Sequence, residues 1–173
     1  MRVIFFLIFV FLFPLTGKAQ NSSLVVGGLT LHGFDNVNNV WEGMPRKLDD
    51  RGRFVFTPTL GYRYTQENHI FTGTILKDCY DHFAFTTLYG QKFYEHQNFN
   101  LEWSVGLYVR KEPYITVRGE TYLVQDRIPF VKAGDFQIIP IGFVGINLFP
   151  KWKIHPVINT NIVLTNLSFQ IDF

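Results

Sequence analysis

The chain has 173 residues, with 16 Lys+Arg against 14 Asp+Glu; 47% are hydrophobic, 17% aromatic and 17% charged, and Phe alone fills 19 positions. One domain is the natural prior at this length, and so much apolar material excludes intrinsic disorder. A near-neutral charge without a run of Lys/Arg argues against nucleic-acid binding. A single Cys excludes an intrachain disulfide framework and a zinc site built on Cys pairs.

Met1-Arg2 opens the chain with one positive charge, Val3 to Leu12 is an unbroken apolar run continuing through Phe13-Pro14-Leu15, and Gly17-Lys18-Ala19 puts small residues where a signal peptidase reads them. This pattern predicts a cleaved secretory signal over residues 1–19. The alternative is an uncleaved anchor helix; Pro14 and an apolar stretch shorter than the ~20 residues of a spanning helix weigh against it. No Cys stands at the cleavage point, so lipoprotein processing is not indicated. Loss of Arg2 and Lys18 leaves a mature chain 20–173 with 14 charges of each sign.

From there the hydrophobic period is two, not 3.6. Strands are expected at roughly 27–36, 54–64, 69–78, 83–94, 101–110, 136–148, 152–160 and 166–173. Phe54, Phe56, Pro58, Leu60, Tyr62 and Tyr64 alternate with Val55, Thr57, Thr59, Gly61 and Arg63. Leu101, Trp103, Val105, Leu107 and Val109 alternate with Glu102, Ser104, Gly106, Tyr108 and Arg110. At the end, Leu167, Phe169, Ile171 and Phe173 share one face, and Asn166, Ser168, Gln170 and Asp172 the other. Turn-like breaks fall at 66–68, 96–98 and 150–151, whereas 37–53 and 111–135 are long. Within the latter, 114–124 is expected to form a projecting hairpin.

Eight strands of about ten residues, with short breaks alternating with long ones, predict an all-β fold. The expectation is an eight-stranded antiparallel transmembrane barrel of the bacterial outer membrane, with its termini and short turns in the periplasm. A soluble lipocalin-type barrel is the alternative. It would put its grease inside and charge outside, but Glu102, Arg110, Gln170 and Asp172 are too polar for such a core. Strands 83–90 and 136–146 are apolar on both faces for most of their length, which implies a dry interior patch. That patch is either an acyl pocket or the filling of a narrow barrel. Pro140 removes a ladder donor and marks an irregular place in the wall.

Candidate chemistry gathers at the outer rim. Thr30 and His32 are expected in the lumen near the end of the first strand, and Asp78-Cys79 at the end of the third. A base, a carboxylate and a thiol are the ingredients of acyl transfer, although a lone His on a barrel wall is more often a hydrogen-bonding lumen residue and a lone Cys inert. His69, His82, His96 and His155 have no ligand spacing, so neither a metal nor another cofactor is proposed.

Most of the mature sequence resembles the lipid A palmitoyltransferase (PagP-like) family. Thr30-Leu31-His32, then an aromatic and Asp, is similar to the first-strand segment that carries that family's essential His. Leu76-Lys77-Asp78-Cys79-Tyr80 is similar to its Phe-Lys-Asp-Ser-Trp segment, with Cys79 where the family has Ser. Tyr89-Gly90 matches a Tyr-Gly pair whose Gly is a hydrocarbon ruler, Arg110 matches a rim Arg, and Ile139-Pro140-Ile141-Gly142-Phe143-Val144-Gly145 is similar to a strand whose Pro marks a lateral opening. The family's amphipathic N-terminal helix has no counterpart, and the third external loop is longer.

The resemblance implies a monomeric outer-membrane enzyme moving a fatty acyl chain from a phospholipid donor to lipid A of lipopolysaccharide. His32 would be the general base, Asp78 would orient it or polarise the ester, and Cys79 would be nucleophile or hydrogen-bond donor. Gly90, Tyr89, Arg110 and Pro140 would bind substrate, Arg110 by gripping a phosphate. A non-catalytic structural or adhesive barrel and a lipid A esterase are the alternatives.

Overall fold

The computed structural model describes residues 22–32, 54–78, 82–112, 114–117, 120–123 and 130–173; the expected signal segment, the loop 37–53 and Cys79 lie outside them. The described residues form eleven strands: β1 (Ser22–His32), β2 (Phe54–Gln66), β3 (His69–Lys77), β4 (Phe83–His96), β5 (Phe99–Lys111), β6 (Tyr114–Val117), β7 (Glu120–Leu123), β8 (Val131–Ala133), β9 (Phe136–Leu148), β10 (Ile154–Thr160) and β11 (Leu164–Asp172). β6 and β7 form the hairpin expected within 114–124. A second hairpin, β8–β9, turns at Gly134-Asp135, where Gly134 takes the positive φ (63°) that such a two-residue turn needs.

The other eight strands close on themselves. Neighbours pair antiparallel from β1 to β5, then β5–β9, β9–β10, β10–β11 and β11–β1. Each of the eight strands has a paired neighbour on both sides over at least part of its length, so the sheet closes, which is the condition for a sheet to cross lipid. The short turns at 67–68 and 97–98 lie at the same end as Ser22, the first residue of β1, and Phe173; the long connections lie at the other. These are called the turn end and the loop end below.

The faces are inverted relative to a water-soluble protein. Phe56 (69% exposed), Leu60, Val105, Leu107, Val144 and Phe169 point outward, while Thr57, Arg63, Glu102, Gln137 and Gln170 are buried inside. This is the alternation of a membrane barrel, and it excludes the lipocalin alternative. Near the turn end Tyr89 packs against Phe71 and Trp103, and Phe149 stacks on Trp152 at 4.6 Å, as a girdle at a lipid–water boundary does.

β1 starts five residues earlier than the sequence pattern suggests, because a bulge at Gly28 reverses its alternation. Val25 before the bulge and Thr30 after it both face inward and are buried. Gly28 has φ 129°, and a Cβ there would stand 1.8 Å from the Thr57 carbonyl oxygen, so the bulge requires glycine.

Candidate functional site

The stagger of the wall decides which residues meet. Starting at Arg110 on β5, facing residues run through Ala84, Leu76, Thr59, Gly27, Ser168, Val157 and Asn147 to Asn100, ten residues nearer the turn end of the same strand. A stagger of ten over eight strands fits a strand tilt of roughly 35–45°. Half-way round, at β1, the row has dropped by about five residues. His32 lies five residues beyond Gly27, so the end of β1 returns to the level of Arg110. Asp78, two residues beyond Leu76, returns to it as well. His32, Asp78 and Arg110 thus share one rim at the loop end.

An ion pair verifies the same geometry. Gly106 lies in the row of Arg63, and Glu102 is four residues below Gly106, so the stagger puts Arg63 and Glu102 level on opposite walls. Their side chains do meet: Arg63 Nη1 and Nη2 donate to Glu102 Oε1 and Oε2, both at 2.7 Å, with both residues buried.

At the rim, Asp78 is buried and fastens its own loop: its Oδ1 accepts the His82 amide at 2.9 Å, and its amide donates to the His82 carbonyl at 2.8 Å. Its Oδ2 accepts the Tyr108 hydroxyl at 3.3 Å and lies 3.8 Å from Arg110 Nη1. Arg110 Nε donates to Gln137 Oε1 at 3.0 Å. Tyr108 and Gln137 carry no motif that marks them as site residues in the sequence. Both share the inward parity of Arg110 on paired strands, a signal that becomes useful once register is known. His32 closes β1 opposite Leu164; its side chain, like the whole of Cys79, is outside the description.

Four expectations change. Arg110 is not an open phosphate clamp: it is buried with Gln137 and Asp78 as partners. Tyr89 does not line the lumen, because Gly90 next to it faces inward; the Tyr89 hydroxyl instead meets His69 Nδ1 at 2.7 Å on the outer face. Gly90 is inward and level with the Arg63–Glu102 pair, but its first constraint is the neighbouring strand. A Cβ there would lie 2.2 Å from the Trp103 carbonyl oxygen. The dry patch expected inside does not extend into the turn half of the lumen, which holds Arg63, Glu102, Asn147, His155 and Gln170, all buried.

The loop half is different. Leu76, Leu88, Ile141 and Phe143 point inward yet are not fully buried. Leu88 has paired strands on both sides, so its exposed surface belongs to space inside the barrel. This half-open upper lumen borders a fault in the wall. β8 pairs with β9 as far as Ile138, and β10 pairs with β9 from Val144, leaving residues 139–143 with no described strand on that side. The Ala133–Phe136 pair closes a two-residue turn, so even-numbered residues of β9 aim their backbone groups at that side. Pro140 therefore turns its missing N–H into the fault, where no described strand would accept from a donor. The position expected for an irregularity is the one found.

No protein-family profile and no curated protein matches the chain. Among solved structures, the N-terminal β-barrel domain of Pseudomonas aeruginosa OprF aligns with a TM-score of 0.48 at 7% identity, over 89% of this chain and 98% of that one. The chain's own geometry, a closed antiparallel wall with an apolar exterior and a polar interior, is that of a membrane-type barrel. A likeness at that level says nothing about chemistry, so a function has to be argued from the rim and the lumen.

Proposed function

We propose that this barrel resides in the outer membrane, with its loop end outward, and transfers a fatty acyl chain from a phospholipid to lipid A. The observation that carries the reading is the shared rim of His32 and Asp78 above the half-open upper lumen, beside the Pro140 fault. A donor acyl chain enters the lumen through the fault and lies against Leu76, Leu88, Ile141 and Phe143, with its ester at the rim. Arg63–Glu102 and Gly90 form the floor. His32 takes the proton of a lipid A hydroxyl as that oxygen attacks the ester carbonyl, and the lysophospholipid leaves with the proton. Asp78 polarises the ester or orients the base, and Arg110 is a positioning residue that holds Asp78. Cys79 serves as a hydrogen-bond donor, or as a nucleophile whose thioester is then attacked by the acceptor.

A second reading has its own observation. The bidentate Arg63–Glu102 pair plugs the lumen of a narrow barrel, as a purely structural envelope protein would have it. Mass spectrometry of lipid A from cells with and without the gene separates the readings. Acyl transfer adds one fatty acyl mass, which disappears with His32→Ala or Asp78→Asn while the folded barrel persists. An esterase removes one acyl mass, and an unchanged lipid A leaves the structural reading.

A further inference from the structure

Ladder parity sorts the charged residues of the eight wall strands. Arg63, Lys92, Glu95, Glu102, Arg110 and Asp172 all belong to the inner face. Histidines aside, two charges are left for the outer face among the described residues: Lys77 and Lys111. Both are positive, and both stand at the loop end.

They also stand in one row. Lys77 closes β3 opposite Phe83, and Lys111 closes β5 opposite Phe136. Continuing the Ala84–Arg110 pairing by one step puts Phe83 beside Lys111. Four adjacent strands thus present Lys77, Phe83, Lys111 and Phe136 outward, with Phe83 76% and Phe136 51% exposed. Aromatic rings alone suffice to anchor a barrel at an interface, as Tyr89 and Trp103 do nearer the turn end. The lysines add a charge that anchoring does not require.

Two strand spacings separate them, so their Cα atoms stand about 10 Å apart. Each carries a compact cation on a flexible stem that reaches toward the headgroups. Such a pair favours two anions on one headgroup over two separate headgroups, because the second contact is then intramolecular. Each lysine also adjoins the rim: Asp78 follows Lys77, Arg110 precedes Lys111, and those two lie 3.8 Å apart inside. A headgroup held at the row is therefore one wall's thickness from the rim.

We infer that Lys77 and Lys111 form a two-point site on the lipid-facing wall for an outer-leaflet lipid that carries two phosphate groups. The site rests on the loop end lying outward and would seat the acceptor of the proposed transfer, but binding itself needs no transfer.

The test is native mass spectrometry of the purified full-length barrel released from detergent micelles, with heat-modifiable gel mobility reporting the fold. The probes are bisphosphorylated lipid A, its monophosphorylated form and phosphatidylcholine. Each is added alone, so no acyl group moves between lipids and a failure here leaves the transfer reading to its own experiment. The native chain binds the bisphosphorylated lipid best. Lys77→Gln or Lys111→Gln weakens that binding about fivefold, and the double variant about 25-fold. Removing one phosphate from the lipid costs the native barrel about as much as removing one lysine. Lys132→Gln, whose lysine pairs with Glu112 on the inner side, has no effect. A folded double variant that binds the bisphosphorylated lipid as tightly as the native chain, or a native barrel that holds phosphatidylcholine equally well, overturns the inference.

Discussion

The two halves of the lumen are built from the same alternating strands and solve the same problem differently. In the turn half, polar side chains are long and reach across: Arg63 meets Glu102 from the opposite wall at 2.7 Å. In the loop half, below the Arg110–Asp78 rim, short threonines pair along the wall. Thr74 meets Thr86 on the adjacent strand at 2.5 Å, and Thr30 meets Thr57 at 2.8 Å while also accepting from Asn166. Groups that pair across a barrel fill its centre; groups that pair along the wall leave the centre open. Side-chain length and pairing direction, rather than polarity alone, decide where an eight-stranded barrel is solid.

The sharpest way to break this contrast is to cut the cross-lumen pair. Arg63→Ala leaves Glu102 as a buried, uncompensated carboxylate and is expected to cost about 3–5 kcal/mol, whereas the double change Arg63→Met with Glu102→Leu is expected to be nearly neutral. Urea unfolding of barrels refolded into lipid vesicles, followed by tryptophan fluorescence, measures both. A single variant losing under about 1 kcal/mol would mean that water already reaches the pair and that the turn half is no more solid than the loop half.

A somewhat smaller effect is expected from turning to the outer face at mid-height. Leu107 is 43% exposed and points outward, one residue from inward Gly106. Leu107→Arg is expected to cost about 2–4 kcal/mol if that face meets the bilayer midplane. The same unfolding experiment decides; a neutral result would put Leu107 in water and displace the membrane belt.

How much of this was legible follows from what kind of information each feature needs. Alternation in 54–64 and 101–110 needs only local sequence, so strand positions and inner faces were readable, and Glu102, Arg110 and Gln170 are inside as expected. The start of β1 was not, because one bulged glycine reverses the alternation and hides residues 22–26. That the ends of β1 and β3 reach one rim follows from strand ends, which local alternation makes readable. That Arg63 meets Glu102 depends on stagger summed over three strands, which no local pattern encodes, so the extent of the dry patch could not be read from alternation. The engagement of Arg110 by Gln137 likewise depends on the β5–β9 register across a connection of more than twenty residues.

The smallest expected effect bears on the half-open lumen itself. Thr74 and Thr86 are directly opposite, buried, and satisfy each other's hydroxyls. Thr74→Val keeps the shape and leaves the Thr86 hydroxyl without its partner. In a sealed interior the orphan would cost about 1–3 kcal/mol, and replacing both residues would recover most of that. In an interior that admits water the hydroxyl finds a substitute. The expected loss is then about 0.5–1 kcal/mol, with little gained from the double variant. A double-mutant cycle on these two threonines thus reads the hydration of the loop half without any ligand or activity: strong coupling between them would mean a dry, closed lumen at the level where an acyl chain is proposed to lie.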